Sequence, residues 1–166
     1  MTTIAVRRII AADPDLVFRE VTDIERFPKT VPEVMSIEFL GELRQGPGTR
    51  FREHRLVNGR PMAFELEVAE YDAPARRARF VTDAGGTLWD TTMRVDAIPE
   101  GAGLEFIMVA TGHAWFNRAV NWLMQGVYRR GMSRQLEALA IRCEAESRNP
   151  RRSGTTEPHP AADETT

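Results

Sequence analysis

The sequence predicts an α+β domain with a curved, antiparallel, seven-stranded sheet, two short helices after the first strand and one long C-terminal helix. Three observations predict it. Three candidate hairpins each sort their residues into an apolar face and a charged face, and the three splits agree. A proline-free stretch from about residue 113 to about residue 147 repeats apolar residues every three or four positions. Between the first strand and the hairpins lie two segments with helix-start residues and proline stops.

Residues 2–12 are rich in β-branched side chains and read as the first strand. Asp13 can cap a helix, Pro14 suits its first position, and Leu16, Val17 and Phe18 supply its buried side. Thr22 to Glu25 fits a capping box for a second short helix, confined by Pro28 and Pro32. From Val34 the chain turns extended, with Met35, Ile37 and Phe39 alternating against Ser36 and Glu38 before the turn GELRQGPG.

The hairpins carry the register. Asn58-Gly59 is the dipeptide preferred where both residues of a two-residue loop need positive φ. Val57 then pairs with Arg60, Arg52 with Glu65 and Arg50 with Glu67, giving two outer ion pairs. On the other face Phe51 meets Leu66, Glu53 meets Phe64 and Arg55 meets Met62. In the second hairpin Asp83-Ala84-Gly85-Gly86 forms the turn, and one register compatible with it sets Phe80 opposite Trp89 and Arg79 opposite Asp90. In the third, past IPEGAG, Val95 pairs with Leu104, Met93 with Phe106 and Thr91 with Met108, while Arg94 meets Glu105 outside.

In the long helix Phe116, Val120, Leu123 and Val127 form one apolar stripe, and Tyr128, Met132, Leu136, Leu139 and Cys143 form the next. Gly126 and Gly131 flank the slip between them, where a bend or a close backbone approach is expected. The domain runs over residues 1–147. Residues 148–166 lack apolar periodicity and read as a disordered tail.

Composition excludes several classes. The chain has 166 residues and a formal net charge of −2, with basic strand residues matched by acidic ones, so it carries no electrostatic footprint for nucleic acid. One cysteine rules out an internal disulfide framework and suits a reducing compartment. No apolar run approaches the ~20 residues of a membrane span, and the first residues lack a signal-peptide core, so the protein is read as cytoplasmic. His54, His113 and His159 have no metal-ligand spacing; no metal and no cofactor are expected. Gly46-Pro47-Gly48 and Gly85-Gly86 lack the lysine and hydroxyl residue of a phosphate loop and are read as turns.

The segments VRRIIAADPDLVFREVTDIERFPKTVPEV, GTRFRE, VAEYDAP and GMSRQLEALAIRCE, in this order of elements, resemble the START-like (SRPBCC) superfamily of helix-grip proteins, which includes polyketide cyclases, lipid-transfer domains and the birch-pollen allergen. The resemblance covers about residues 2–147. It implies that the sheet wraps around the long C-terminal helix and leaves between them a cavity that accepts a hydrophobic small molecule.

The ligand-facing candidates on the inner surface are Phe51, Glu53, Arg55, Met62, Phe64 and Phe80. Thr82, Trp89, Thr91, Met93, Phe106 and Met108 complete the set. Glu53 and Arg55 stand out, because a carboxylate and a guanidinium on an apolar face need partners. They can be a structural pair at a partly wet margin, a ligand anchor, or an acid and a base. The resemblance to polyketide cyclases implies the last, with Glu53 as base and Arg55 polarising a carbonyl during aldol closure. Binding or transport of a lipid, polyketide-like or isoprenoid compound is the first reading, a cyclase or aromatase the second, and an interaction subunit without ligand the third.

Cys143, on the second helical stripe, reads as a buried small hydrophobe, and His113 either lines the mouth or is solvated. Trp115 and Trp122, seven residues apart with Arg118 and Arg129 nearby, either pack on the short helices or form a docking surface for a protein, a second subunit or a membrane.

Overall fold

The computed structural model describes residues 1–57 and 59–148. Seven strands form one antiparallel sheet in the order β1-β7-β6-β5-β4-β3-β2. They are β1 (Thr2–Ile10), β2 (Val34–Phe39), β3 (Arg50–Val57), β4 (Arg60–Asp72), β5 (Arg77–Ala84), β6 (Thr87–Ile98) and β7 (Gly101–Gly112). Helix α1 (Pro14–Thr22), a 3₁₀ turn (Ile24–Arg26) and α2 (Phe27–Thr30) follow β1, and α3 (Trp115–Arg148) closes the domain. This is the expected α+β helix-grip architecture.

Local chemistry sets the entry to α1. Asp13 accepts hydrogen bonds from the backbone N–H groups of Asp15 and Leu16 at 2.9 and 3.1 Å, and Pro14 takes the first helical position. The capping box at Thr22 does not form. Thr22 is the last residue of α1, and its hydroxyl donates to the Phe18 carbonyl at 2.8 Å, so it closes the first helix instead of opening the second.

The first hairpin has the expected register from Val57↔Arg60 to Arg50↔Glu67. Gly59 has φ +75, as a left-handed loop position requires, while Asn58 lies outside the described residues. Arg52 bridges Glu65 and Glu38 at 2.7 and 2.8 Å. Arg50 makes its ion pair with Glu65 at 3.6 Å, diagonally, not with Glu67 across the ladder. The third hairpin also pairs as expected, including Met93↔Phe106 and Arg94↔Glu105.

The second hairpin is shifted by two residues. Ala84 pairs with Thr87, Thr82 with Trp89 and Phe80 with Thr91, so Phe80 does not face Trp89 and Arg79 does not face Asp90. The reason is the loop: Gly85 and Gly86 have φ +60 and +71, and a tight two-residue turn places both glycines where positive φ is needed. The faces are unchanged because the slip is even. Arg79 still reaches Asp90 diagonally, with two hydrogen bonds of 2.8 and 2.7 Å.

In β2 the register shifts between Val34 and Ser36, so Val34 is buried and Met35 is half exposed rather than sharing the inner face with Ile37 and Phe39.

The core lies between the sheet, α1, α2 and the C-terminal half of α3. Phe27, Phe51 and Phe80 pack with ring centroids 6.0 to 6.4 Å apart, joined by Val17, Val68, Leu104, Leu136 and Leu139. Each such side chain contributes about 1.5–3 kcal/mol on burial. Glu20 is fully buried beneath α3, where Arg26 and Arg142 both contact its carboxylate, Arg142 at 3.0 Å. This triad ties α1, the 3₁₀ turn and α3 together.

Helix α3 is unbroken, and a Cβ added at Gly126 or Gly131 would meet nothing within 4 Å, so there is no close backbone approach there. Residues 149–166, nearly all of the stretch expected to be disordered, lie outside the described residues.

Candidate functional site

Alternation along β3 turns Phe51, Glu53 and Arg55 to the inner face. Phe51 is fully buried, Glu53 is 4% exposed, and Arg55 is partly exposed. The Arg55 Nε–H donates to Glu53 Oε1. Burial pushes the Glu53 carboxyl above its ordinary value. The Arg55 charge and hydrogen bond pull it back, and the nearby Glu33 carboxylate adds to the rise. Glu33 in turn faces Gln135 of α3 at 3.5 Å.

Glu33 and Gln135 join the two expected residues in a polar cluster that runs from β3 through the residue before β2 to the long helix. Neither has a local signal. Glu33 precedes β2 and Gln135 lies between the buried Met132 and Leu136, so only the docking of α3 brings them together.

The other expected ligand-facing residues divide into two groups. Phe51, Phe80 and Met93 lie in the packed core, at 8% exposure or less. Phe64, Thr82, Trp89, Thr91, Phe106 and Met108 are half-buried on the same face, and Met62 near the hairpin tip is exposed. The half-buried group lies on β4 to β7, and α3 meets it where Trp89 and Tyr128 pack edge to face with ring centroids 5.1 Å apart. Thr82 donates to the Glu65 carbonyl, and Trp89 donates its Nε1–H to the Ala84 carbonyl at 3.3 Å. An apolar surface with one acid, one guanidinium and one tethered indole can hold a greasy molecule and orient a polar group on it.

Two of the hollows formed by the described residues lie elsewhere. One of about 450 Å³ lies on the outer face among Arg77, Thr92, Arg94 and Glu105, and one of about 600 Å³ lies along α3 among Val127, Arg130, Ser133 and Arg134.

His54 is partly exposed beside Glu38 at 3.9 Å, and His113 holds Asp83 at 2.9 Å where β7 leads into α3. Cys143 is fully buried beside Glu20, and burial pushes its thiol up to about 12. Among the described residues no group of three histidine, cysteine or acidic side chains is placed to hold a metal, and no helix is long and apolar enough to cross a membrane. Trp115 and Trp122 are 79% and 67% exposed, so they do not pack against the short helices.

Solved structures with this fold include the Thermus thermophilus protein TTHA0849, 24% identical, with a TM-score of 0.72 over 88% of this chain and 99% of that one. The Zhui aromatase/cyclase of Streptomyces sp. R1128 is 17% identical, with a TM-score of 0.72 over 90% of this chain and 97% of the other. The major latex-like protein 151 of Panax ginseng is 12% identical, with a TM-score of 0.69 over 88% and 97%. No curated protein matches the chain. Residues 1–144 match the profile of the family described as polyketide cyclase / dehydrase and lipid transport. With the match spanning nearly all of the described fold, the chain belongs to that polyketide cyclase / dehydrase and lipid transport family.

Proposed function

We propose that this protein binds a hydrophobic small molecule, of lipid, polyketide-like or isoprenoid character, on the inner face of the sheet, and does so in the cytoplasm. The observation that carries the reading is the Glu53–Arg55 pair, set into an otherwise apolar surface with the Glu33 carboxylate nearby and Gln135 bonded to it. A ligand would rest on Phe64, Trp89, Thr91 and Met108, with Phe51, Phe80 and Met93 as the packed floor behind them. Arg55, the more exposed member, would meet a carbonyl, hydroxyl or carboxylate of the ligand, and Glu53 would hold the guanidinium in place.

A cyclase or aromatase is the second reading. Burial raises the proton affinity of the Glu53 carboxyl, which suits it to move a proton from a carbon beside a carbonyl while Arg55 stabilises the enolate. The Streptomyces neighbour with the same fold is an aromatase/cyclase, which agrees with this chemistry.

Native mass spectrometry of freshly purified protein tests the first reading. A retained apolar adduct that is weakened by Arg55→Met supports it, and an adduct indifferent to both Arg55→Met and Glu53→Gln removes the anchoring role. Under the second reading Glu53→Gln abolishes turnover of a poly-β-ketone while leaving its binding intact.

A further inference from the structure

The N-terminal half of α3 is turned inside out. Besides Tyr128, which packs on Trp89, its sheet-facing side presents polar groups: Asn117 donates to the Gly86 carbonyl at 2.8 Å, and the buried Asn121 donates to the Thr87 hydroxyl at 3.1 Å. Its outward side is apolar. Phe116, Val120, Leu123 and Val127, spaced four, three and four apart, are 54, 52, 75 and 45% exposed. Trp115 and Trp122 add two exposed indoles on a neighbouring side. The C-terminal half behaves in the ordinary way, burying Met132, Leu136, Leu139 and Cys143.

Charge says what the outward side meets. From Trp115 through Leu136 the helix carries Arg118, Arg129, Arg130 and Arg134 and no acidic residue. Arg129, Arg130 and Arg134 are exposed, and Arg130 and Arg134 line the hollow that begins at Val127. Two acidic groups next to this half-helix are engaged: Asp83 holds His113 at its start, and Glu137, just past Leu136, holds Arg8 at 2.6 Å.

We propose that this half-helix is a docking surface for an anionic lipid bilayer, lying in the plane of the interface with its apolar side chains among the acyl chains and its arginines on the phosphates. Exposed aromatics spread over two sides of a basic helix suit a planar, fluid surface, and indoles favour the headgroup level. A second copy of the chain fits poorly, because an isologous contact would set the same four arginines against themselves with no carboxylate between. Residues 149–166 hold no large apolar side chain with which to cover the face. The inference goes beyond ligand binding and stands apart from it, since a bilayer can be engaged whether or not the inner face is occupied.

The test is co-sedimentation of the full chain with vesicles of phosphatidylcholine alone and with an equal part of phosphatidylglycerol, at low and high salt. Anionic vesicles should retain the protein, high salt should release most of it, and each arginine should strengthen retention about fivefold. Leu123→Glu and Trp122→Ser should each weaken retention about tenfold or more, and Arg130→Glu with Arg134→Glu should abolish the preference for anionic lipid. All four positions are exposed, so these variants fold. Failure to sediment with anionic vesicles overturns the proposal, as does retention unchanged by the charge reversal. So does a dimer in light scattering that Leu123→Glu dissolves while vesicles retain nothing. Ligand retention measured without vesicles remains a separate readout, so the two readings fail independently.

Discussion

Arg55 donates its Nε–H to the Glu53 carboxylate from two residues along the same strand, so a partly wet guanidinium holds the carboxyl of a residue that is only 4% exposed. The pair sits where the packed floor of Phe51 gives way to the half-buried Phe64 and Trp89. Its energetics follow from that position: the carboxylate needs the arginine more than the arginine needs the carboxylate.

Glu53 therefore makes stability depend on pH in a defined direction. Its folded pKa lies above the unfolded value of about 4.3, so the folded state holds a proton that the unfolded state has already lost. The contribution is complete below that value and is lost as pH rises through the folded pKa. In urea melts at pH 4, 6 and 8, Glu53→Gln should gain stability relative to the parent protein as pH rises. A difference that stays flat, or moves the other way, means that the arginine outweighs burial.

Arg55→Met leaves the carboxyl buried without its partner. The variant should lose about 1–3 kcal/mol at pH 8 and much less at pH 4, where Glu53 is protonated and needs no counter-charge. Equal losses at both pH values would show that the arginine acts through packing alone.

The two halves of α3 should answer mutation differently. Leu136→Ala removes a side chain from the core and should cost about 2–5 kcal/mol, whereas Leu123→Ala, at 75% exposure, should change stability by about 0.5 kcal/mol or less. Gly126→Ala should stabilise by about 0.5–1 kcal/mol, since the new methyl meets nothing within 4 Å. Chemical denaturation of the three variants checks the set, and a large loss for Leu123→Ala contradicts an outward-facing stripe.

The turn between β5 and β6 should resist side chains. Gly85→Ala and Gly86→Ala each force a left-handed backbone, worth about 1–2 kcal/mol, and the Gly86 change also runs into the Asn117 side chain. The Gly86 variant should be the less stable of the two by thermal melting; the reverse order would argue against the observed register.

Cys143 should be silent towards a thiol reagent at pH 8 in the folded protein and react fully once unfolded, because burial beside Glu20 keeps it protonated. Rapid labelling of the native state would show that the base of α3 opens.

Legibility in the sequence follows the range of the interaction. The β3–β4 register is readable because Asn58-Gly59 names its own loop and because Glu53 and Arg55 break the inner pattern at fixed distance from it. The β5–β6 register slips by two because Asp83-Ala84-Gly85-Gly86 offers more than one loop, and only the backbone decides that both glycines occupy it. The bulge that turns Met35 outward has no sequence mark. Periodicity locates the stripe from Phe116 to Val127 but not the direction it faces, since Asn117 and Asn121 take the inward side through bonds to Gly86 and Thr87. The Glu20 triad and the Glu33–Gln135 contact depend on how α3 docks against elements about a hundred residues earlier.

Nuclear magnetic resonance mapping of an uncharged apolar probe such as 1-naphthol tests the central claim most directly. The account predicts shifts concentrated at Glu53, Phe64, Trp89, Thr91 and Met108, with their outer-face neighbours Arg52, His54 and Glu65 quiet, and attenuated in Arg55→Met. Shifts confined to the outer face, or to Trp115 and Trp122 alone, would contradict it.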